Sequence, residues 1–102
     1  MIRRWPRQAA ALQDLVNEHG QMLRSLSYGE LESLSEPMSH FQIEGRKARI
    51  ATIAEKAGDE VRVVVQGLVK ALIGYHVALD GFYKGAQGNV RDMPEEEFSN
   101  YD

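Results

Sequence analysis

The stretch "RKARIATIAEKAGDEVRVVVQ", residues 46–66, decides the fold because it holds two strand-like runs on either side of a turn. The runs 46–56 and 60–66 flank Ala-Gly-Asp, in which Gly58 tolerates the positive backbone angle that a tight hairpin turn needs. The second run alternates between two sides. One of these sides is formed by Val61, Val63 and Val65. The stretch therefore predicts an antiparallel hairpin with one strongly apolar side.

A further strand is predicted on each side of this hairpin. Upstream, residues 39–44 alternate between apolar and polar side chains until Gly45 offers a turn. Downstream, residues 75–80 alternate again, with His76 expected on a half-buried polar side and a bend or bulge expected at Gly81. The four strands follow one another along the chain, which favours an antiparallel meander.

Helical patterns precede and follow the strands. Residues 6–26 place apolar side chains at three- and four-residue steps, which predicts one amphipathic helix. Ser27 and Glu30 have the spacing of a capping box, which predicts a second, short helix. Residues 92–97 combine Asp, Pro and three Glu, which favours a helix N-terminus. The predicted fold class is α+β, with N-terminal helices packed on a four-stranded antiparallel meander sheet and a short C-terminal helix.

Length and composition indicate a single globular domain, residues 1–102. The 43% hydrophobic and 26% charged residues lie near the averages of soluble proteins. The sequence has no cysteine, which excludes disulfides and thiolate metal sites. Near the start, Pro6, Gln8, Gln13 and Asp14 interrupt any apolar core of a signal peptide. We therefore expect a cytoplasmic protein with no membrane segment and no cofactor.

One apolar segment, "GLVKALIG" at residues 67–74, lies where a meander has to reverse direction. Connecting loops are usually polar. The segment could fold over the end of the core, extend the third and fourth strands into a projecting hairpin, or be covered by another subunit. Self-association by two-fold symmetry is the commonest way to cover such a patch. The predicted partner is a protein, in a homodimer, and the predicted interface residues of this segment are Val69, Leu72 and Ile73. The acidic stretch "PEEEFSNYD", residues 94–102, adds Phe98 and Tyr101, three residues apart on one helical side, as predicted interface residues of a docking element.

An alternative small-ligand or hydrolytic site centres on His76, Asp80 and Tyr83. A histidine base oriented by a carboxylate is a common catalytic arrangement. On a strand, however, His76 and Asp80 lie about 13 Å apart along the chain, too far for a direct hydrogen bond. The pair would need a bend, or another partner such as His40 or Glu44.

Two basic stretches offer a third function, that of a nucleic-acid accessory protein. They are residues 3–7, "RRWPR", and residues 45–49, "GRKAR". Basic and aromatic side chains together can bind phosphates and stack on bases. The net charge of −3 and the five acids in residues 92–102 oppose a phosphate backbone, so we do not expect nucleic acid as the main partner. The nucleic-acid residues in this alternative are Arg3, Arg4, Trp5 and Arg7.

The sequence contains no strong catalytic or metal-binding motif. It has no Walker-type phosphate loop, no GxSxG elbow and no dinucleotide fingerprint, and its three histidines lack the spacing of zinc motifs. A chain of this size also leaves little room for a deep pocket. The predicted function is therefore a non-enzymatic protein-interaction or structural domain that self-associates or docks on a protein partner.

Overall fold

The computed structural model describes residues 7–35, 38–71 and 73–101, without the side chains of Arg7, Gln8, Ser99 and Tyr101. Within these residues, two helices precede five strands, and a 3₁₀ helix follows the strands. The elements are α1 (Arg7–Arg24), α2 (Tyr28–Glu32), β1 (Met38–Ile43), β2 (Arg46–Ala57), β3 (Glu60–Lys70), β4 (Tyr75–Gly85), β5 (Val90–Asp92) and the 3₁₀ helix (Glu95–Tyr101). The predicted α+β class is confirmed.

The β2–β3 hairpin forms the centre of the sheet, as the sequence predicted. The strands lie in the order β1-β2-β3-β4-β5, and each neighbouring pair is antiparallel. At the β2–β3 turn Ala57 lies opposite Glu60, and Gly58 has a φ of 66°. At the β1–β2 turn Glu44 and Gly45 have φ angles of 49° and 81°, the pair of positive angles that a type I′ turn requires. The antiparallel meander is therefore confirmed.

The sheet has a fifth strand, which the prediction of four strands missed. β4 runs through Gly81 to Gly85 without a break in its register with β3, and β5 pairs along the edge that this extension creates. Asp92, expected to cap a helix, lies in β5 opposite Phe82, and its carboxylate accepts hydrogen bonds from Arg24. The predicted start of the C-terminal helix at residue 92 is therefore wrong. A short 3₁₀ helix begins instead at Glu95.

The apolar segment 67–74 extends β3 and β4 into a longer hairpin. β3 continues to Lys70, β4 begins at Tyr75, and the Ala71 N–H donates to the Gly74 carbonyl at 3.0 Å. Strand alternation explains two of the apolar residues of the segment. Val69 is fully buried on the side of the sheet that packs against α1, whereas Leu68 is half-buried on the other side.

Helix α1 packs across β3 and β4 on one side of the sheet. The helix continues through Gly20 to Arg24. The residues that build this core from α1, β3 and β4 are Leu12, Val16, Leu23, Val61, Val63, Val65, Val69, Ala78 and Phe82. Fully burying such a side chain contributes roughly 1.5–3 kcal/mol. The predicted capping box of α2 is formed by Ser27 and Glu30. Among the helices of the described residues, none is long and apolar enough to cross a membrane.

The side of β4 that faces α1 is not the one that the sequence indicated. His76 lies opposite Val69, Asp80 opposite Val65 and Phe82 opposite Val63, so the side that carries these residues faces α1. His76, expected on a half-buried polar side of the strand, is half-buried, but on the side that faces α1. The reason is that Phe82 is fully buried against α1 and fixes the orientation of the whole strand. Arg24 of α1 neutralises Asp80 on this side.

Candidate functional site

The candidate site lies on the side of the sheet that faces away from α1, which we call the open face. Residues that lie directly opposite each other on neighbouring strands form rows across this face, with Cβ atoms about 4.5–5.5 Å apart. One row consists of His40, Arg49, Leu68 and Val77. The row nearest the β3–β4 turn contains Lys47, opposite Gln42, and Lys70, opposite Tyr75. The register thus gathers side chains from β1 to β4 that are distant in sequence.

Two adjoining clefts open between these side chains. The first has a volume of about 270 Å³ and is lined by His40, Lys47, Ala48, Arg49, Leu68 and Tyr75. The second has a volume of about 390 Å³ and is lined by Gly45, Arg46, Lys47, Lys70 and Tyr75. Because Lys47 and Tyr75 line both clefts, the two form one continuous depression at this end of the open face.

The cations around this depression have no acidic partner among the residues that the structure describes. They are Arg46, Lys47, Arg49 and Lys70, which we call the basic end. Lys70 stacks on the Tyr75 ring, with its Nζ 5.8 Å from the ring centroid. At the opposite end of the open face the arginines are paired, Arg62 with Glu55 and Arg91 with Glu60. The basic end therefore has a positive charge that is available to an anionic group.

The 3₁₀ helix covers the opposite end of the open face. Below it, Val64, Tyr83 and Met93 form a small buried cluster, against which Phe98 packs. The Tyr83 hydroxyl donates a hydrogen bond to Glu97, and this bond raises the pKa of Tyr83 above its usual value. The half of the open face between this helix and the basic end has no such cover within the described part of the chain.

The structure does not bring the predicted ligand-binding residues His76, Asp80 and Tyr83 together. His76 and Asp80 share the side of β4 that faces α1, and Tyr83 lies on the open face. Asp80 accepts two hydrogen bonds from Arg24, at 2.7 and 3.0 Å, and these raise the pKa of the guanidinium. The ring of Phe82 lies 4.8 Å from the same guanidinium. Asp80 thus holds α1 on the sheet.

The predicted interface residues are also distributed over different surroundings. Val69 belongs to the core, whereas Ile73 is 91% exposed at the tip of the β3–β4 hairpin. Phe98 packs on the small cluster under the 3₁₀ helix. Leu72 and the side chain of Tyr101 lie outside the described residues, so their role as interface residues stays a prediction.

Of the predicted nucleic-acid residues, Arg3, Arg4 and Trp5 lie outside the described part of the chain, as does the side chain of Arg7. The second basic stretch, residues 45–49, lies at the basic end. Sequence reasoning missed that Lys70 and Tyr75 join it, because this required β3 to be extended to residue 70. The sequence did contain one signal for this cluster: alternation in β2 places Lys47 and Arg49 on the same side of the sheet.

Within the described residues no group of three or more histidines and carboxylates is arranged to hold a metal ion. Comparison of the chain with protein-family models, curated proteins and solved structures finds no match to any of the three.

Proposed function

We propose that this protein is a non-enzymatic interaction domain that self-associates through the open face of its sheet. The observation that carries the proposal is the apolar band across the uncovered half of that face. In this band Met38 is 50% exposed and Tyr75 is 61% exposed. Half-buried apolar side chains fill the space between them: Ala51, Leu68, Val77 and Leu79.

The physical argument is that a sheet is stable when its apolar side chains are covered. One side of this sheet packs against α1, and the 3₁₀ helix covers only one end of the other side. An exposed apolar patch on a small domain commonly marks an interaction surface, and here Gln66 and Arg49 lie among the apolar side chains of the band. A second copy of the chain can cover the band by a two-fold axis, the commonest symmetry of soluble oligomers.

The contacts of the acid and base side chains support a non-enzymatic role. Asp80 binds Arg24, and Tyr83 binds Glu97, so two of the three alternative ligand-binding residues make contacts that hold elements of the fold together. These contacts explain the residues "LDGFY" at 79–83 by the architecture of the sheet.

The proposal predicts that the purified protein has twice its chain mass of 11.5 kDa in light scattering on a sizing column. Leu68→Asp places a charge in the middle of the band and should give a monomer. The matched control is Leu15→Asp on α1, where Leu15 is 38% exposed on the other side of the molecule, and this variant should remain dimeric. A wild-type protein that stays monomeric at high micromolar concentration would contradict the proposal.

A second candidate function, the binding of single-stranded nucleic acid, is favoured by one specific observation. The cations of the basic end, which have no acidic partner among the described residues, lie around Tyr75, and a basic groove with an aromatic side chain is the usual platform for a single strand. This candidate predicts that a fluorescent oligonucleotide binds at 50 mM salt, that affinity falls by about tenfold or more at 200 mM, and that Tyr75→Ala weakens it. Unchanged anisotropy at low salt would exclude it.

A further inference from the structure

Basic and acidic side chains of the open face concentrate at opposite ends of its strands. The four cations of the basic end lie at the β1–β2 and β3–β4 turns, together with one exposed carboxylate, Glu44, whereas more of the exposed carboxylates lie at the other end of the strands. Asp59 is in the β2–β3 turn, and Glu95 and Glu96 are in the first turn of the 3₁₀ helix. The molecule is elongated, with extents of 44 × 29 × 19 Å, and this distance keeps the two charged ends apart. A single copy therefore cannot bring its basic end to its own acidic end.

The shape of the open face also differs between its two ends. The 3₁₀ helix adds a layer over Val64, Tyr83 and Met93 at the acidic end. At the basic end the surface instead forms a depression lined by Arg49, Leu68 and Tyr75. One half of the face is thus raised and acidic, and the other half is recessed and basic.

We propose that a second copy of this chain binds with its strands reversed, so that its acidic 3₁₀ helix lies over the basic end of the first copy. A two-fold axis that crosses the strands near Gln66, close to the middle of β3, relates the two halves of the open face in this way. Each raised half then meets a recessed half, and the acidic end of each copy faces the basic end of the other. This inference rests on the proposed self-association and specifies its geometry.

The symmetry of this arrangement makes it testable by charge reversal. Variant A is Lys47→Glu with Arg49→Glu, and variant B is Asp59→Lys with Glu95→Lys. Neither variant removes an ion pair within the described residues. In a homodimer of A or of B, like charges meet at both contacts. In a heterodimer of A with B, opposite charges meet at both contacts, as in the wild type.

We expect that A alone and B alone dimerise about tenfold or more weakly than the wild type, because like charges facing each other across an interface oppose association. An equimolar mixture of A and B should recover the dimer, with native mass spectrometry showing the mixed species. The control is Asp14→Lys with Glu18→Lys on the exposed side of α1, which changes net charge as B does and should leave the dimer unchanged. Recovery in the mixture also shows that both variants are folded.

The outcomes separate this inference from the proposed function. A wild-type monomer overturns both. A wild-type dimer with A and B also dimeric, or with a mixture that stays monomeric, overturns the strand-reversed arrangement and leaves self-association standing. If A remains dimeric but loses binding to a single-stranded oligonucleotide that the wild type binds, the basic end serves nucleic acid and the inference is overturned.

Discussion

Gly20 sets the distance between α1 and β4. It is buried in the helix directly above Asp80, and a Cβ atom at this position would collide with the Asp80 carboxylate and lie 3.0 Å from Nη1 of Arg24. Glycine inside a helix normally costs about 0.5–1 kcal/mol relative to alanine. Here it allows the Arg24–Asp80 ion pair to form between the helix and the sheet, at 2.7 Å.

This contact predicts opposite effects of the same substitution at two helical glycines. Gly20→Ala should lower the free energy of unfolding by about 1–3 kcal/mol, because the added methyl group overpacks the ion pair. Gly29→Ala in α2, where nothing lies within 4 Å of the added Cβ, should raise it by about 0.4–1 kcal/mol. Urea denaturation of both variants checks this prediction. Equal stabilities would show that Gly20 has no packing role.

At the scale of the element, α2 depends on its capping box. The Ser27 N–H donates to the Glu30 carboxylate at 3.0 Å and the Glu30 N–H donates to Ser27 Oγ at 3.1 Å. The first of these bonds holds the pKa of Glu30 below its usual value. A carboxyl group whose pKa is lowered by folding stabilises the fold above its unfolded pKa, and this contribution is lost as pH falls through the folded pKa.

Glu30→Gln keeps an acceptor at this position but removes the charge. We expect the variant to be less stable than the wild type at pH 7, and the difference to shrink at pH 3, because the carboxylate of Glu30 in the wild type takes up protons as pH falls. Urea denaturation at the two pH values measures this change. A difference that stays the same at both values would contradict a role for the ionised carboxylate.

The elements that the sequence predicted are those that depend on local chemistry. The capping box of α2, the periodicity of α1 and the turn at Gly58 each act within a few residues, and all three are found in the structure. β5 has no such local signal. It pairs only because β4 continues to Gly85, and residues 90–92 by themselves resemble the start of a helix as much as a strand.

At the scale of the whole molecule, the surface is harder to predict than the core because it depends on register. The clustering of Lys70 and Tyr75 with the cations at 46, 47 and 49 requires three strands to be aligned correctly. The side of β4 that meets α1 was likewise decided by the position of Phe82 in the assembled core. The proposed site therefore follows from the meander as a whole, and no single stretch of sequence contains it.

The order of the elements also affects how the protein leaves the ribosome. Helix α1 is synthesised first, but it packs on β3 and β4, which end only at Gly85. At about 5–20 residues per second, translation of residues 25–85 takes roughly 3–12 s. During this interval Leu12, Val16 and Leu23 have no sheet to cover them. For seconds, the nascent chain thus carries an amphipathic helix whose apolar side has no partner strands before the fold can close.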